Sequence, residues 1–342
     1  MGRVGIIRDE RFLEHMPGPT HPEHPRRLKA VYEMIDREFK GRLREIRPRP
    51  ATLGDVELVH SPDYIERFLK TPEQDFTMLS PDTPVSKNSY ISAFLAVGAV
   101  IEAIKGVTGG VLNSCFALVR PPGHHALKDR AMGFCIFNNL AIGARFAQAK
   151  LGIRRILIID WDVHFGNGIS EEFYSDPGVF YLSTHRLELF PYSGRPEEMG
   201  EGDGLGFNLN VPLPPHMGTK DFVALYQNLL KELIPPFNPQ LTLIAAGFDV
   251  HSSDPLGRLS VEEKAFYEIT QSLRYLLKEE GSERIVLSLE GGYDPLGLAL
   301  CVKETIRGLI DPLKGFEATK TDLSQEILGD ALNRLRALGV LG

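Results

Sequence analysis

Apolar residues recur along this chain in two periods, and the switching between them outlines the fold. Short unbroken runs rich in β-branched side chains occur at residues 4–7 (VGII), 115–119 (CFALV), 156–159 (ILII), 179–183 (VFYLS), 241–246 (LTLIAA) and 285–289 (IVLSL). Such runs fit parallel strands buried on both faces, because a strand with one wet face alternates apolar and polar residues. Between them, apolar residues fall three and four apart, as on one face of a helix, at 27–39, 89–104, 221–233 and 261–278, and an alanine-rich helix follows residue 139 to about Lys150. Ser61 before Pro62 opens a further helix, the hydroxyl capping the first turn and the proline fitting it. Residues 71–86, rich in Pro, Asp, Thr and Ser, read as a loop. Residues 186–218 read as a long irregular region with one short strand candidate at 207–211. Strands alternating with helices predict an α/β fold of three layers, a mostly parallel central sheet between helices. No repeat, low-complexity tract or composition break divides residues 1–342, so one domain is expected.

Composition narrows the function. With 43% hydrophobic residues the chain builds a sizeable core, and a formal net charge of -7 argues against nucleic acid as a partner. Three cysteines, Cys115, Cys135 and Cys301, form no CxxC pair and suit a reducing compartment. The N-terminus lacks a basic stretch followed by a long apolar one, and no uninterrupted apolar run approaches the roughly 18 residues of a spanning helix. A cytoplasmic protein without membrane association is the expectation.

Chemistry gathers where the strands stop. The run at 115–119 leads to His124 and His125, the run at 156–159 to Asp160, Asp162 and His164, the run at 241–246 to Asp249, and the run at 285–289 to Tyr293. In a parallel sheet these ends share one edge, where open α/β sheets bind ligands. If the chain stays extended, Asp160, Asp162 and His164 leave it on one side. Asp162, His164 and Asp249 then offer three ligands and an open position, the plan of a catalytic zinc site and not of a closed, cysteine-rich structural one. Such a metal lowers the pKa of water from about 16 to about 7. Amide hydrolysis also needs a base, an acid and an oxyanion donor, roles open to His125, His124 and Tyr293. Each feature has a plainer reading: an incidental His-His pair, a charged strand end, a tight Gly-Gly turn with a surface tyrosine. His15, His21 and His24, set among prolines, suit a solvated or substrate-rim loop better than a second metal site.

Taken together and in order, RPPGHH (120–125), GFCIFNN (133–139), DWDVHFGNG (160–168), AGFD (246–249) and LEGGY (289–293) resemble the motifs of the histone deacetylase family of zinc amidohydrolases. That family shares the arginase/deacetylase α/β fold, and the likeness is greatest to its class II-like bacterial branch. The resemblance implies one Zn²⁺ per subunit on Asp162, His164 and Asp249. It makes His125 the general base, His124 the electrostatic partner or general acid, and Tyr293 the donor to the carbonyl and oxyanion, with Asp160 orienting His124. It implies a structural K⁺ held by Asp160, by carbonyls of Asp162, His164 and Thr184, and by Ser183, and a second monovalent cation on the backbone of Phe173, Asp176 and Val179. Gly133, Phe134 and Phe190 would wall an acyl-lysine channel, and Asp82 would hold the substrate backbone at its rim.

Two departures stand out. Phe165 replaces a second histidine common in the family, a change of packing more than of chemistry. Asn167 replaces the aspartate of the class I branch and leaves His125 less basic, as is usual in the class II-like branch. Leu256 occupies what looks like the position of the acidic gatekeeper in polyamine deacetylases, and a leucine offers no charge to a second ammonium. The expected activity is therefore hydrolysis of N-acetyl- or N-acyl-lysine in proteins or peptides. The alternatives are an acetylpolyamine or other small N-acyl-amine amidohydrolase and, outside enzymes, an acyl-ligand binding protein. A dimanganese ureohydrolase would need bridging carboxylates that this set does not supply. Residues 186–218 are placed to form a rim or a homo-oligomer contact.

Overall fold

The computed structural model describes residues 3–340. Along the chain, β1 (Val4–Ile7) and β2 (Arg44–Glu45) come first, then a separate antiparallel hairpin of β3 (Phe76–Ser80) and β4 (Thr83–Ser86). There follow β5 (Ser114–Ala117), β6 (Ile156–Asp160), β7 (Val179–His185), β8 (Asn208–Pro212), β9 (Leu241–Ala246) and β10 (Ile285–Leu289). Eight of these form one sheet in the order β2-β1-β5-β10-β9-β6-β7-β8, with every neighbouring pair parallel. Every residue of β5, β6, β9 and β10 is buried, as their unbroken apolar runs require.

Two helical layers cover the sheet. One is the succession α1 (Arg26–Glu38), α9 (Pro295–Ile310), α8 (Lys264–Glu279), α7 (Thr219–Phe237) and α10 (Asp322–Ala337). The other holds α4 (Ser89–Thr108), α5 (Asn139–Leu151) and the short α6 (Asn167–Phe173). Two smaller helices, α2 (Leu53–Val56) and α3 (Pro62–Leu69), complete the set, and Ser61 caps α3 as its sequence predicts. By length and composition α4 could cross a membrane, yet it packs on α5, β5 and β10 as a core helix.

Residues 71–86 are not the expected loop. Thr83, Pro84 and Val85 are buried while Phe76 and Met78 face solvent, and among the described residues the β3–β4 hairpin they form pairs only with itself. Turn-forming composition concealed it. α8 starts later than expected, because Val261 bridges to His251 before the helix begins. α7 runs past residue 233, taking Pro235 and Pro236 into its last turn and closing on left-handed Asn238.

For the site, strand order matters most. β5, β10, β9 and β6 are consecutive in the middle of the sheet, and register places Ser288 beside Ala117, Leu289 beside Ala246 and Asp160 beside Ala245. The four chemistry-bearing ends thus finish level with one another.

Candidate active site

After Asp160 the chain leaves the sheet and folds around its own carboxylates. The Asp162 amide donates to Asp160 Oδ1 (3.2 Å), the Val163 amide to Asp249 Oδ1 (2.8 Å) and the His164 amide to Asp162 Oδ1 (2.9 Å). The expected strand-like alternation is therefore absent beyond Asp160. Hydrogen bonds to backbone amides, not pleating, aim these side chains at one point.

There, donor atoms of Asp162, His164 and Asp249 lie within 4.8 Å of one another. His164 Nδ1 is 3.0 Å from both Asp162 Oδ1 and Asp249 Oδ2. One imidazole nitrogen cannot fully satisfy two carboxylates, and among the described residues neither aspartate pairs with an arginine or lysine, although both are 0% exposed. Burial and the neighbouring Asp162 together raise the pKa of Asp249, as expected for buried anions lacking a cation. Gly291 closes the cradle: its amide donates to Asp162 Oδ2 (2.9 Å), and a Cβ there would strike both carboxylates. A divalent cation fits this set of one nitrogen and two oxygen donors. A neighbouring grouping of His124, Cys135 and Glu290 is engaged in part, with Glu290 Oε1 buried and left without a hydrogen-bond partner. Asp160 takes His124 Nδ1, the Gly123 and His124 amides take Glu290 Oε2, and the Gly133 carbonyl takes Cys135 Sγ.

The tandem histidines are held differently. His124 Nδ1 lies 3.1 Å from Asp160 Oδ2, which also accepts the Tyr181 hydroxyl at 2.8 Å. Burial opposes charge on His124, but the Asp162 and Asp160 carboxylates outweigh it and lift the pKa to about 10. His125 Nδ1 lies 2.8 Å from Asn167 Oδ1, and only the nitrogen can be the donor there, so Nε2 is left as an acceptor. Burial, with cationic His124 nearby, pushes His125 well down. One histidine is thus set to carry charge and the other to stay neutral, a division suited to acid and base roles.

Above them opens a cavity of about 500 Å³ lined by His125, Gly133, Phe134, His164, Phe190, Leu256, Tyr293 and Asp82, with Glu188, Leu189, Tyr192, Pro255 and Arg258 toward solvent. Phe190 stands edge-on to His125 at 5.1 Å, and Phe134 edge-on to Tyr293 at 5.8 Å. Gly133 has φ 57°, and a Cβ on it would collide with the His125 ring, so no other residue fits. Burial keeps the Tyr293 phenol protonated and a donor. Asp82 reaches the cavity, but its carboxylate accepts from the Gly133 amide (3.0 Å) and from the Ser80 and Thr83 hydroxyls, so it shapes the channel wall as well as the rim. Phe165 packs on His185 at 4.8 Å, consistent with a packing role.

The remaining predicted residues lie to one side. Ser183 is the register partner of Asp160 at the end of β7, and Thr184 shares its hydroxyl with Tyr226. Phe173, Asp176 and Val179 fall on one turn between α6 and β7, closed by the Asp176 amide on the Phe173 carbonyl and the Val179 amide on the Asp176 carbonyl.

Sequence reasoning missed the brace behind Tyr293. Glu23, fully buried, joins Arg27 (2.9 Å) and Arg120 (2.6 Å), and Arg27 donates to the carbonyls of Glu290 and Gly292 while stacking 4.9 Å from the Tyr293 ring. His15, expected on a rim loop, is buried in the same network, 3.4 Å from Glu23 and 2.7 Å from Ser89 Oγ. An Arg-Arg-Glu cluster draws it inward. His21 does lie at the site, edge-on to Phe134 at 4.5 Å.

Comparison with known proteins agrees with this geometry. Residues 21–309 match the histone deacetylase domain. A probable deacetylase of Archaeoglobus fulgidus is 34% identical over 97% of this chain and 92% of its own length. A histone deacetylase-like amidohydrolase of Pseudomonas aeruginosa is 36% identical over 86% of this chain and 79% of its own. The crystal structure of the HDA15 HD domain superposes with a TM-score of 0.91 at 32% identity, covering 98% of this chain and 95% of that one. The protein is an amidohydrolase with the arginase/deacetylase fold, and it belongs to the histone deacetylase family.

Proposed function

We propose that this amidohydrolase removes acyl groups from the side-chain amine of lysine in peptides or proteins, and that its metal is zinc. The observation that carries the reading is the pair of histidines beside the three-ligand cluster, His124 held cationic against Asp160 and His125 held neutral against Asn167, at the floor of a cavity walled by Phe134 and Phe190. Zinc held by Asp162, His164 and Asp249 would polarise the acyl carbonyl and acidify a water molecule. His125 Nε2 takes the proton from that water, its other nitrogen being fixed by Asn167. His124, cationic against Asp160, steadies the negative charge that develops and holds a proton for the leaving amine. Tyr293 donates its hydroxyl hydrogen to the carbonyl oxygen as it becomes anionic. Two phenylalanines suit the aliphatic stem of lysine, and Leu256 in the same wall offers nothing to the second ammonium of a polyamine. A potassium ion at the junction of β6 and β7 is part of the same proposal, supported by the pairing of Asp160 with Ser183.

Purified protein, stripped by a chelator and resupplied with Zn²⁺, should cleave acetyl-lysine peptides in preference to acetylspermidine. Tyr293→Phe should lower that turnover by about 10² to 10³, the scale of losing one oxyanion donor. Cleavage of polyamines alone would replace the lysine reading with the small-amine one.

A further inference from the structure

At the mouth of the cavity the backbone adopts a conformation that side chains ordinarily avoid. Among the described residues five non-glycine residues have positive φ, and three of them, Phe134 (68°), Tyr192 (62°) and Arg258 (55°), line this one cavity. In the left-handed region Cβ crowds the following carbonyl, so glycine is the usual occupant. Other residues held there cluster at ligand sites. Phe134 is accounted for by the channel wall. Arg258 is not.

The turn that bears Arg258 is braced on both sides. Asp254 Oδ1 accepts from the amides of Leu256 (2.8 Å) and Gly257 (3.2 Å), and its Oδ2 accepts from the Tyr293 amide (2.6 Å). Gly257 lies so close to the Asp249 carbonyl that a Cβ would overlap it. The turn is thus fastened to the last metal ligand and to the oxyanion donor. It presents Leu256, half-buried, to the wall and Arg258, exposed, to the rim. The other charges at the rim have partners: Glu188 pairs with Arg186 at 3.2 Å, and Asp82 accepts from Gly133, Ser80 and Thr83. Among the described residues Arg258 has neither an ion pair nor a side-chain hydrogen bond.

We infer that Arg258 is a specificity residue that recognises a carboxylate in the peptide flanking the acyl-lysine. The inference rests on the acyl-lysine reading given above. The acyl end of such a substrate belongs at the floor with Asp162, His164 and Asp249, so what meets an exposed rim side chain is the peptide. A guanidinium presents a planar fork of donors that matches a carboxylate. It also repels an ammonium at the same place. Leu256 withholds a counter-charge from a polyamine, and Arg258 adds one of the wrong sign.

The test is kcat/KM for acetyl-lysine peptides carrying Asp, Ala or Lys immediately beside the modified residue, in the wild type, Arg258→Gly and Arg258→Glu. Glycine suits the left-handed position, so Arg258→Gly removes the cation while keeping the turn. The wild type should favour the Asp over the Lys peptide by roughly three- to tenfold, through KM and less so at high salt. Arg258→Gly should erase that ratio and Arg258→Glu should reverse it. An unchanged ratio in Arg258→Gly would overturn the inference and leave the deacylase reading standing. An Arg258-dependent preference seen only for succinyl-lysine in a neutral peptide would overturn it too, by moving the carboxylate onto the acyl group. Cleavage of acetylspermidine with no peptide turned over would defeat the acyl-lysine reading itself and the inference with it.

Discussion

Two clusters of buried charge lie on either side of the Glu290–Tyr293 turn, and they differ in balance. Asp162, His164 and Asp249 hold two carboxylates against one imidazole, with no arginine or lysine partner among the described residues. Glu23, Arg27 and Arg120 are as dry, yet here one carboxylate serves two guanidiniums, whose remaining donors end on carbonyls of Phe12, His15, Glu23, Glu290 and Gly292. The first cluster has a surplus of negative charge and so takes up a cation. The second closes on itself and serves as a brace. Burial of charge is common to both; the sign and size of the imbalance separate a ligand site from a structural one.

The same substitution, carboxylate to amide, should therefore act in opposite ways at the two clusters. Asp249→Asn removes one of three ligands and should cut deacetylase turnover by about 10³ or more, since a Lewis acid supplies several kcal/mol of stabilisation at the reacting carbonyl. Zinc content measured on the purified variant should fall with it. In the metal-free state, however, the neutral amide introduced by Asp249→Asn relieves repulsion between two buried anions, and the urea midpoint should match or exceed that of the stripped wild type. A large loss of stability in the stripped variant would count against the charge imbalance.

Glu23→Gln should do the reverse. Burial alone would push the Glu23 carboxyl up, but Arg120, His15 and Arg27 hold it far below the usual carboxylate range. Taking that charge away leaves two buried guanidiniums uncompensated, a loss of about 3–5 kcal/mol on the scale of broken buried pairs. The fraction that folds should still bind zinc, because none of the ligands is touched. Equal stability of Glu23→Gln and wild type in urea would show that the brace is dispensable.

How much of this was legible in the sequence follows from how local each signal is. The central strands were visible because strands covered on both faces must be apolar throughout, and the site was visible because each strand carries its chemistry within a few residues of its end. Asp162 and His164 do come together with Asp249, but strand alternation is not what aims them: it fails beyond Asp160, where hydrogen bonds to backbone amides take over. The brace was illegible because Glu23 and Arg120 are 97 residues apart and nothing near either one announces the other. His15 was misplaced for the same reason. The β3–β4 hairpin was lost because its proline, aspartate and serine content is that of a turn and it has no second sheet partner to enforce an apolar pattern. Arg258 gave no warning, since left-handed positions are read from glycine and asparagine.

A third arrangement of buried polar groups, histidines with no charge nearby to balance, gives the smallest effect and a pH dependence. His60 is buried with Nδ1 on the Leu127 carbonyl and Nε2 accepting the Asn138 amide; His185 is buried with Nδ1 near Ser183 Oγ and Nε2 near the Gly194 carbonyl. The Asn138 amide requires a neutral ring at His60, and burial lowers both pKa values to about 4. An unfolded chain takes up these protons near 6.5, before the folded one does. Their contribution to stability is therefore complete above about pH 6.5, falls as the pH drops toward 4, and falls no further below it. Over that window each histidine accounts for at most about 3 kcal/mol. His60→Gln keeps one donor and one acceptor but cannot titrate, so its urea midpoints between pH 7.5 and 4.5 should decline less steeply than those of the wild type. Identical slopes would mean that His60 gains a counter-charge when protonated, and that the distinction between charged and neutral buried clusters is less sharp than their geometry indicates.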